Sequence, residues 1–182
     1  MKDRELLIGV TGGIAAYKTA ALVSQLVQAG AGVTVVMTHS ARHFIGAATF
    51  AALTGRPVLE EIFDEPHHPL GAHIELAERA ELLCVAPATA DFLARAACGM
   101  ADSLLSTALL SFTGPVVLAP AMNCQMWEKP AVQRNVEQLR SDGFHFVEPQ
   151  EGWLSCRKQG VGRMAQPDAI RAAIEQHLKA KK

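Results

Sequence analysis

The stretch Glu5-Leu6-Leu7-Ile8-Gly9-Val10-Thr11-Gly12-Gly13-Ile14-Ala15-Ala16-Tyr17-Lys18 decides the fold. Its apolar run, residues 6–10, reads as a strand buried on both faces. A Thr-Gly-Gly turn follows. Then comes a small-residue helix with apolar positions at Ile14, Ala21, Leu22 and Leu26, running to a stop at Gly30. Strand, glycine turn and helix together form an anion site in α/β proteins. Glycines let backbone N–H groups approach a phosphate, and the helix N-terminus adds partial positive charge. The same turn also reads as nothing more than a close strand–helix junction, since short glycine motifs recur without ligands.

The nature of the phosphate ligand can be narrowed. Tyr17 stands where a Walker A loop needs glycine before its lysine, which argues against a tight nucleotide cradle. The spacing is not G-x-G-x-x-G. The second strand, 33–37, ends in Thr38-His39-Ser40 rather than in the acidic residue that holds a dinucleotide ribose. Hydroxyls suit a phosphate better than a ribose diol. A phosphorylated mononucleotide such as FMN is therefore favoured over NAD or ATP.

Outward from this unit the chain alternates. Ser40 is expected to cap a helix over 41–45, and a second helix covers 47–53. Residues 58–63 read as a short strand. A polar loop, 64–73, carries His67, His68 and His73. Strands are expected at 82–86 and 115–119, each ended by a proline, and a short one at 144–147. Thr89 caps a helix from Ala90 to about Cys98. Further helices read at 104–110, at 130–140 with Pro130 at the start and Gly143 past the end, and at 168–178. Residues 151–164 read as glycine-rich, irregular and mobile, like a lid. The expectation is a single α/β domain, 1–182, with a Rossmann-like or flavodoxin-like three-layer fold and a mostly parallel sheet.

Bulk properties exclude several classes. The 182 residues favour one domain with a sizeable core, and the net charge of −1 gives no reason to invoke nucleic acid or an anionic membrane. No apolar run reaches a membrane span and no signal-like segment is present, so a cytoplasmic protein is expected. Cys84, Cys98, Cys124 and Cys156 show no paired spacing, which fits free thiols.

Four loops carry chemistry. His73 is a candidate general base, since imidazole titrates near neutrality. With His67 and His68 it suggests a metal only weakly, because no second ligand cluster has recognisable spacing, and no metal is assigned. Pro87-Ala88-Thr89-Ala90-Asp91-Phe92 is a strand–helix junction that suits a ring or a phosphate, or serves only as a cap. Ala121-Met122-Asn123-Cys124-Gln125-Met126-Trp127 suits a flat, soft ligand with one polar contact, or a core turn. In Ser155-Cys156-Arg157-Lys158 the neighbouring cations favour a thiolate, unless Cys156 is an unused surface thiol.

Taken together, residues 9–18, 73–76, 87–91, 120–127 and Cys156 with 160–164 carry a resemblance to the flavin-containing cysteine decarboxylases, in particular their bacterial coenzyme A branch. It covers residues 8–167, and Met-Asn-x-x-Met-Trp is its most specific part. The resemblance implies FMN-dependent decarboxylation of 4′-phosphopantothenoylcysteine to 4′-phosphopantetheine. The thiol is oxidised to a thioaldehyde, carbon dioxide leaves, and the enethiol is reduced again. It also implies residue roles. His73 assists thiol oxidation, and Cys156 delivers a proton. Asn123 holds the substrate carboxylate, with Met122, Gly162, Arg163 and Met164 beside it. Gly12, Gly13, Ile14, Thr38 and Ser40 bind FMN, and Thr89, Ala90, Asp91, Phe92 and Ala121 complete that site. Relatives are homo-oligomers, commonly trimers or assemblies of trimers, with flavin at a subunit boundary. Synthetase activity is expected on a separate chain. The lid departs from the pattern: Arg157-Lys158 stand where Gly and an acidic residue are usual. Rival readings are an oxidative decarboxylase of peptidyl C-terminal cysteine, a prenyl-FMN synthase of related fold, a regulatory phosphatase-inhibiting relative, and a plain flavin-binding module.

Overall fold

The computed structural model describes residues 1–62 and 71–179. Its centre is a five-stranded parallel sheet of β1 (Glu5–Val10), β2 (Gly32–Met37), β3 (Leu82–Ala88), β4 (Val116–Pro120) and β5 (His145–Phe146) in the order β2-β1-β3-β4-β5. This is the flavodoxin-like order, expected from the alternation of apolar runs and helices. The central strands are continuous apolar runs because helices cover both faces. Helices α1 (Ala16–Gln28), α2 (Ala47–Thr54) and α8 (Pro167–Lys179) pack one face, where Leu22, Leu26, Phe50, Ile170 and Ile174 are buried with Ile8 and Val35. Helices α3 (Ala72–Arg79), α4 (Ala90–Ala97), α5 (Leu104–Ser111) and α7 (Pro130–Ser141) pack the other, around Leu7, Leu83, Leu105 and Leu139.

Local chemistry sets the helix ends. The Thr89 hydroxyl accepts the Phe92 N–H at the start of α4, as its position before the helix requires. Ser103 and Ser106 form a reciprocal capping box on α5. Gly55 stops α2 with φ at 66° and Gly143 follows α7 with φ at 90°, conformations that a side chain opposes.

Several expectations are corrected. Ser40 does not cap a helix: it lies inside a 3₁₀ turn, His39–His43, that follows Thr38. Ile14 precedes α1 and is 57% exposed, Ala21 faces outward, and Val23 takes the core position instead. Pro87 does not end β3, which continues through a cis Ala86–Pro87 bond to Ala88 with a shifted register. Among the described residues of the stretch expected as a strand at 58–63, only Leu59 bridges to β2, at Val36. The polar loop with His67 and His68 lies outside the described residues, whereas its end is already α3, with Ala72 and Leu76 buried one helical turn apart. Residues 151–164 are not irregular. They form an antiparallel hairpin, β6 (Gln150–Trp153) and β7 (Gln159–Arg163), joined through α6 (Cys124–Trp127) to the body.

No helix among the described residues is long and apolar enough to cross a membrane.

Candidate functional site

In an open parallel sheet of this order the ligand crevice lies at the C-terminal edge, between β1 and β3, where the connections diverge. Thr11 ends β1 and ties the two strands together there. Its hydroxyl donates to the Pro87 carbonyl at 2.6 Å and accepts the Thr89 N–H at 3.2 Å. Above this junction opens a cavity of about 820 Å³. Every residue expected at the site lines it except His73. The β1–α1 turn, Thr38–Ser40, Thr89–Phe92, Ala121–Asn123 and the hairpin all contribute to its lining.

The glycine turn is shaped by close approach. A Cβ on Gly12 would stand 2.5 Å from Ser40 Cβ, so glycine is what brings the two expected phosphate loops together. Gly13 N–H donates back to the Thr11 carbonyl at 3.0 Å, and α1 begins three residues on.

Asn123 sits just before α6. Its Oδ1 accepts the Gln125 N–H at 2.7 Å, which leaves the amide Nδ2 donors without a partner among the described residues. An amide held this way presents donors only, a match for a carboxylate.

Lys18 belongs to the site although the sequence reading passed over it. Its side chain lies along the cavity wall, 8% exposed, and Nζ donates to the Met164 carbonyl at 3.0 Å. Burial, and then the charge of Arg163, hold its pKa below the usual lysine value. Arg163 also lines the cavity, and its Nε is buried with no hydrogen-bond partner. Two cations side by side without a carboxylate favour an anion between or above them. The signal available in the sequence was a lysine in the first turn of a helix of small residues, but its partner lies 146 residues away. Arg95 is different, because Asp91 and Asp102 both pair with it at the rim.

The hairpin glycines serve packing rather than looseness. A Cβ on Gly160 would meet Cys124 Cβ at 2.9 Å, and one on Gly162, whose φ is 152°, would overlap the Met122 carbonyl oxygen. Trp153 and Cys156 ride on this hairpin; both line the cavity and both are exposed, and Cys156 is a free thiol. By contrast Cys84 is fully buried in β3, where burial pushes its thiol up to about 12 and silences it.

His73, second residue of α3, is set apart. Its carbonyl accepts the Ser111 hydroxyl at 3.4 Å, and its Nδ1 is buried without a partner among the described residues. Ser111 closes α5 while Ser103, before that helix, touches the cavity, so the two ends stand roughly 12 Å apart along the axis.

A model of the flavoprotein family matches residues 1–179. The chain belongs to the flavoprotein family. It is similar to the coenzyme A biosynthesis bifunctional protein CoaBC of Bacillus subtilis, 46% identical over 178 residues, which are 98% of this chain and 44% of that protein. The chain thus spans less than half the length of that relative. Among solved structures it is similar to the FMN-dependent cysteine decarboxylase SpaF, with TM-score 0.85 and 37% identity over 97% of this chain and 96% of that one. It is also similar to a PPC decarboxylase variant complexed with pantothenoylaminoethenethiol, with TM-score 0.87 and 27% identity over 98% of this chain and all of that one.

The cavity of this flavoprotein fits the group its family name implies. The volume falls within the range of small-molecule and cofactor sites. The cradle at Gly12, the hydroxyls of Thr38 and Ser40, and the unpartnered Arg163 Nε are suited to anionic groups.

Proposed function

We propose that this chain is an FMN-dependent decarboxylase of 4′-phosphopantothenoylcysteine that yields 4′-phosphopantetheine in coenzyme A biosynthesis. What supports this most is one juxtaposition: the Asn123 amide, with its donors unspent, and the Cys156 thiol line the same cavity as the Gly12 cradle. The similarity to CoaBC and to a PPC decarboxylase supports the choice of substrate.

Gly12, Gly13, Ile14, Thr38 and Ser40, with Thr89, Ala90, Asp91, Phe92 and Ala121 around them, would hold FMN, which would supply reversible two-electron redox chemistry there. The chain's own residues do the rest. Asn123 Nδ2 donates to the substrate carboxylate and fixes the bond to be broken near the cofactor. Met122, Met164 and Gly162 shape the wall behind it. Lys18 and Arg163 keep the potential positive where two anions must bind together. Cys156, brought in by the hairpin acting as a lid, gives its proton to the enethiol carbon. His73 takes the thiol proton at the start.

His73 lies outside its own chain's cavity, so this last role needs a second copy. Ile74 and Leu110 are exposed beside His73 and Ser111, while Ile14, Tyr17 and Phe44 are exposed at the cavity mouth. Two different apolar patches on one chain meet in a head-to-tail contact, which closes into a ring. A homotrimer with one site per boundary satisfies both.

Mass spectrometry of 4′-phosphopantothenoylcysteine incubated with the FMN-loaded protein tests the proposal. The expected product lacks one carbon dioxide and nothing else. Unchanged substrate would refute it. Loss of carbon dioxide together with two hydrogens would move the chain to the purely oxidative decarboxylases.

A further inference from the structure

Two cations of the cavity lining have no counter-charge. Asp91 and Asp102, the carboxylates among the lining residues described, are both paired with Arg95. That leaves Lys18 and Arg163. Lys18 Nζ has the Met164 carbonyl at 3.0 Å, and the Arg163 side chain makes no hydrogen bond or ion pair with any described residue. Both are held in place. Lys18 is buried, and a Cβ on Gly152 would stand 2.8 Å from Arg163 Cζ, so glycine in β6 leaves the room that the guanidinium fills. Burial and then the charge of Arg163 lower the Lys18 pKa, a cost that an anion beside the pair relieves.

Their place narrows what that anion is. Met122 N–H donates to the Gly162 carbonyl at 2.9 Å, and a Cβ on Gly162 would meet the Asn123 carbonyl carbon at 3.3 Å. The segment that carries Arg163 and receives Lys18 thus runs against the Asn123 loop, whereas the expected phosphate loops meet at Gly12 and Ser40. The substrate carboxylate is served by the uncharged Asn123 donors; two cations on it would stabilise it as a carboxylate and hold back its loss as neutral carbon dioxide. The proposed reaction creates another anion. One C–H hydrogen of the cysteine side chain passes to FMN with both electrons of its bond, the S–H proton passes to His73, and carbon and sulfur are left doubly bonded. Two electrons and one proton reach the cofactor, which leaves on it one negative charge that oxidised FMN lacks.

We infer that Lys18 and Arg163 stabilise the negative charge that FMN acquires on reduction, and so raise its reduction potential in this site. The inference rests on the proposed decarboxylation for the cofactor and the route of the proton, and it names the residues that make the electron transfer favourable. Charges attract more strongly in a cavity than in water, and a cation near the flavin ring favours its reduced form. Cations spent on the FMN phosphate act differently. The phosphate carries the same charge in both redox states, so oxidised and reduced FMN would be tightened alike and the potential would not move.

The test needs no substrate. FMN bound to excess wild type, Lys18→Gln, Arg163→Gln or Arg163→Lys protein is reduced with dithionite against a redox dye, which gives the two-electron midpoint. Quenching of flavin fluorescence gives the affinity for oxidised FMN. Each glutamine variant is expected to shift bound FMN about tenfold or more toward the oxidised form, a midpoint lower by about 30 mV or more. Its affinity for oxidised FMN changes by less than about threefold. Arg163→Lys keeps the charge and stays within about threefold of the wild-type redox equilibrium. Glutamine at 18 still donates a hydrogen bond, so a purely structural tether to Met164 leaves the midpoint in place. The two positions lie on different elements, so if one variant fails to fold the other decides. Midpoints within about twofold of wild type in the glutamine variants would overturn the inference, and weakened binding of oxidised FMN alongside them would put the cations on the phosphate. The expected shifts in a protein that converts no 4′-phosphopantothenoylcysteine would uphold the inference and overturn only the proposed substrate.

Discussion

Gly12 and Gly13 are adjacent and look equivalent in the sequence, yet the structure separates them sharply. Neither has a positive φ, so a methyl group at either position acts through space alone. On Gly12 it would sit 2.5 Å from Ser40 Cβ, with the Ser40 carbonyl carbon and oxygen at 3.0 and 3.1 Å. That is about 1 Å closer than carbon atoms tolerate. The obstructing atoms belong to the backbone or are bonded to it, so no rotamer change relieves them, and the 3₁₀ turn at His39–His43 must move. Overpacking of this size costs about 1–3 kcal/mol. On Gly13 the nearest atoms are Thr89 Cγ2 at 3.6 Å and Pro87 Cγ at 3.7 Å, ordinary contact distances. Gly12→Ala is therefore expected to lower the apoprotein Tm by about 2–12 °C, and Gly13→Ala by no more than about 2 °C.

The displaced turn carries Ser40, so Gly12→Ala is also expected to weaken FMN by about 10- to 100-fold, read from quenching of flavin fluorescence. Adding Ser40→Gly removes the atom at 2.5 Å but not the two behind it, and recovers part of the Tm loss, a coupling between neighbours. Equal Tm losses for the two single variants, or none for Gly12→Ala, would refute the reasoning.

Three further outcomes are expected. His73→Asn keeps FMN, by its visible spectrum, but stops turnover; unfolding and reassembling it with the equally inactive Asn123→Asp protein restores activity, and an inactive mixture would count against a site shared between copies. Cys156→Ser releases carbon dioxide and accumulates the oxidised enethiol, and ordinary 4′-phosphopantetheine formation by it would remove the thiol from proton delivery. The rings of His145 and His177 stack at 3.7 Å, pinning the last helix to the sheet edge, and burial followed by the charge of His145 lowers the His177 pKa from 6.5. A base with a lowered folded pKa gives stability that is present above 6.5 and lost as pH falls through the folded value. His177→Phe keeps the stacking without the proton, so its Tm falls less than that of wild type between about pH 8 and pH 5; equal falls would exclude the pair as the cause.

How much of this was legible in the sequence depends on how local each cause is. The runs at 6–10, 33–37 and 82–86 could be read as strands because burial on both faces demands unbroken apolar sequence, whatever the neighbours are. The caps at Thr89 and Pro130 were legible because a helix end is satisfied within three residues. The hairpin at 150–163 was not. Its strands show no apolar alternation, and its glycines record contacts with Met122, Cys124 and Arg163 that no local pattern announces. Helix α3 was hidden because the histidine-rich loop before it drew the reading past Ala72 and Leu76. Lys18 escaped for the same reason as the hairpin: its meaning lies in residues 163 and 164.

His73 marks the other limit. The resemblance grouped it with residues that the fold brings around one cavity, and the fold alone leaves it outside that cavity, beside Ser111 at the end of α5. His73 meets Ser111 through its carbonyl, about 12 Å along α5 from Ser103 at the cavity, and it is absent from the cavity lining, so within one chain it takes no proton from a ligand there. Either the histidine has no part in the chemistry, or the chemistry is not contained in one chain. The exposed Ile74 and Leu110 near it, together with the exposed Ile14 and Tyr17 of the cavity lining, favour the second. A monomer would leave both patches in water, and a ring would bury each against the other while carrying the imidazole to where a base is required.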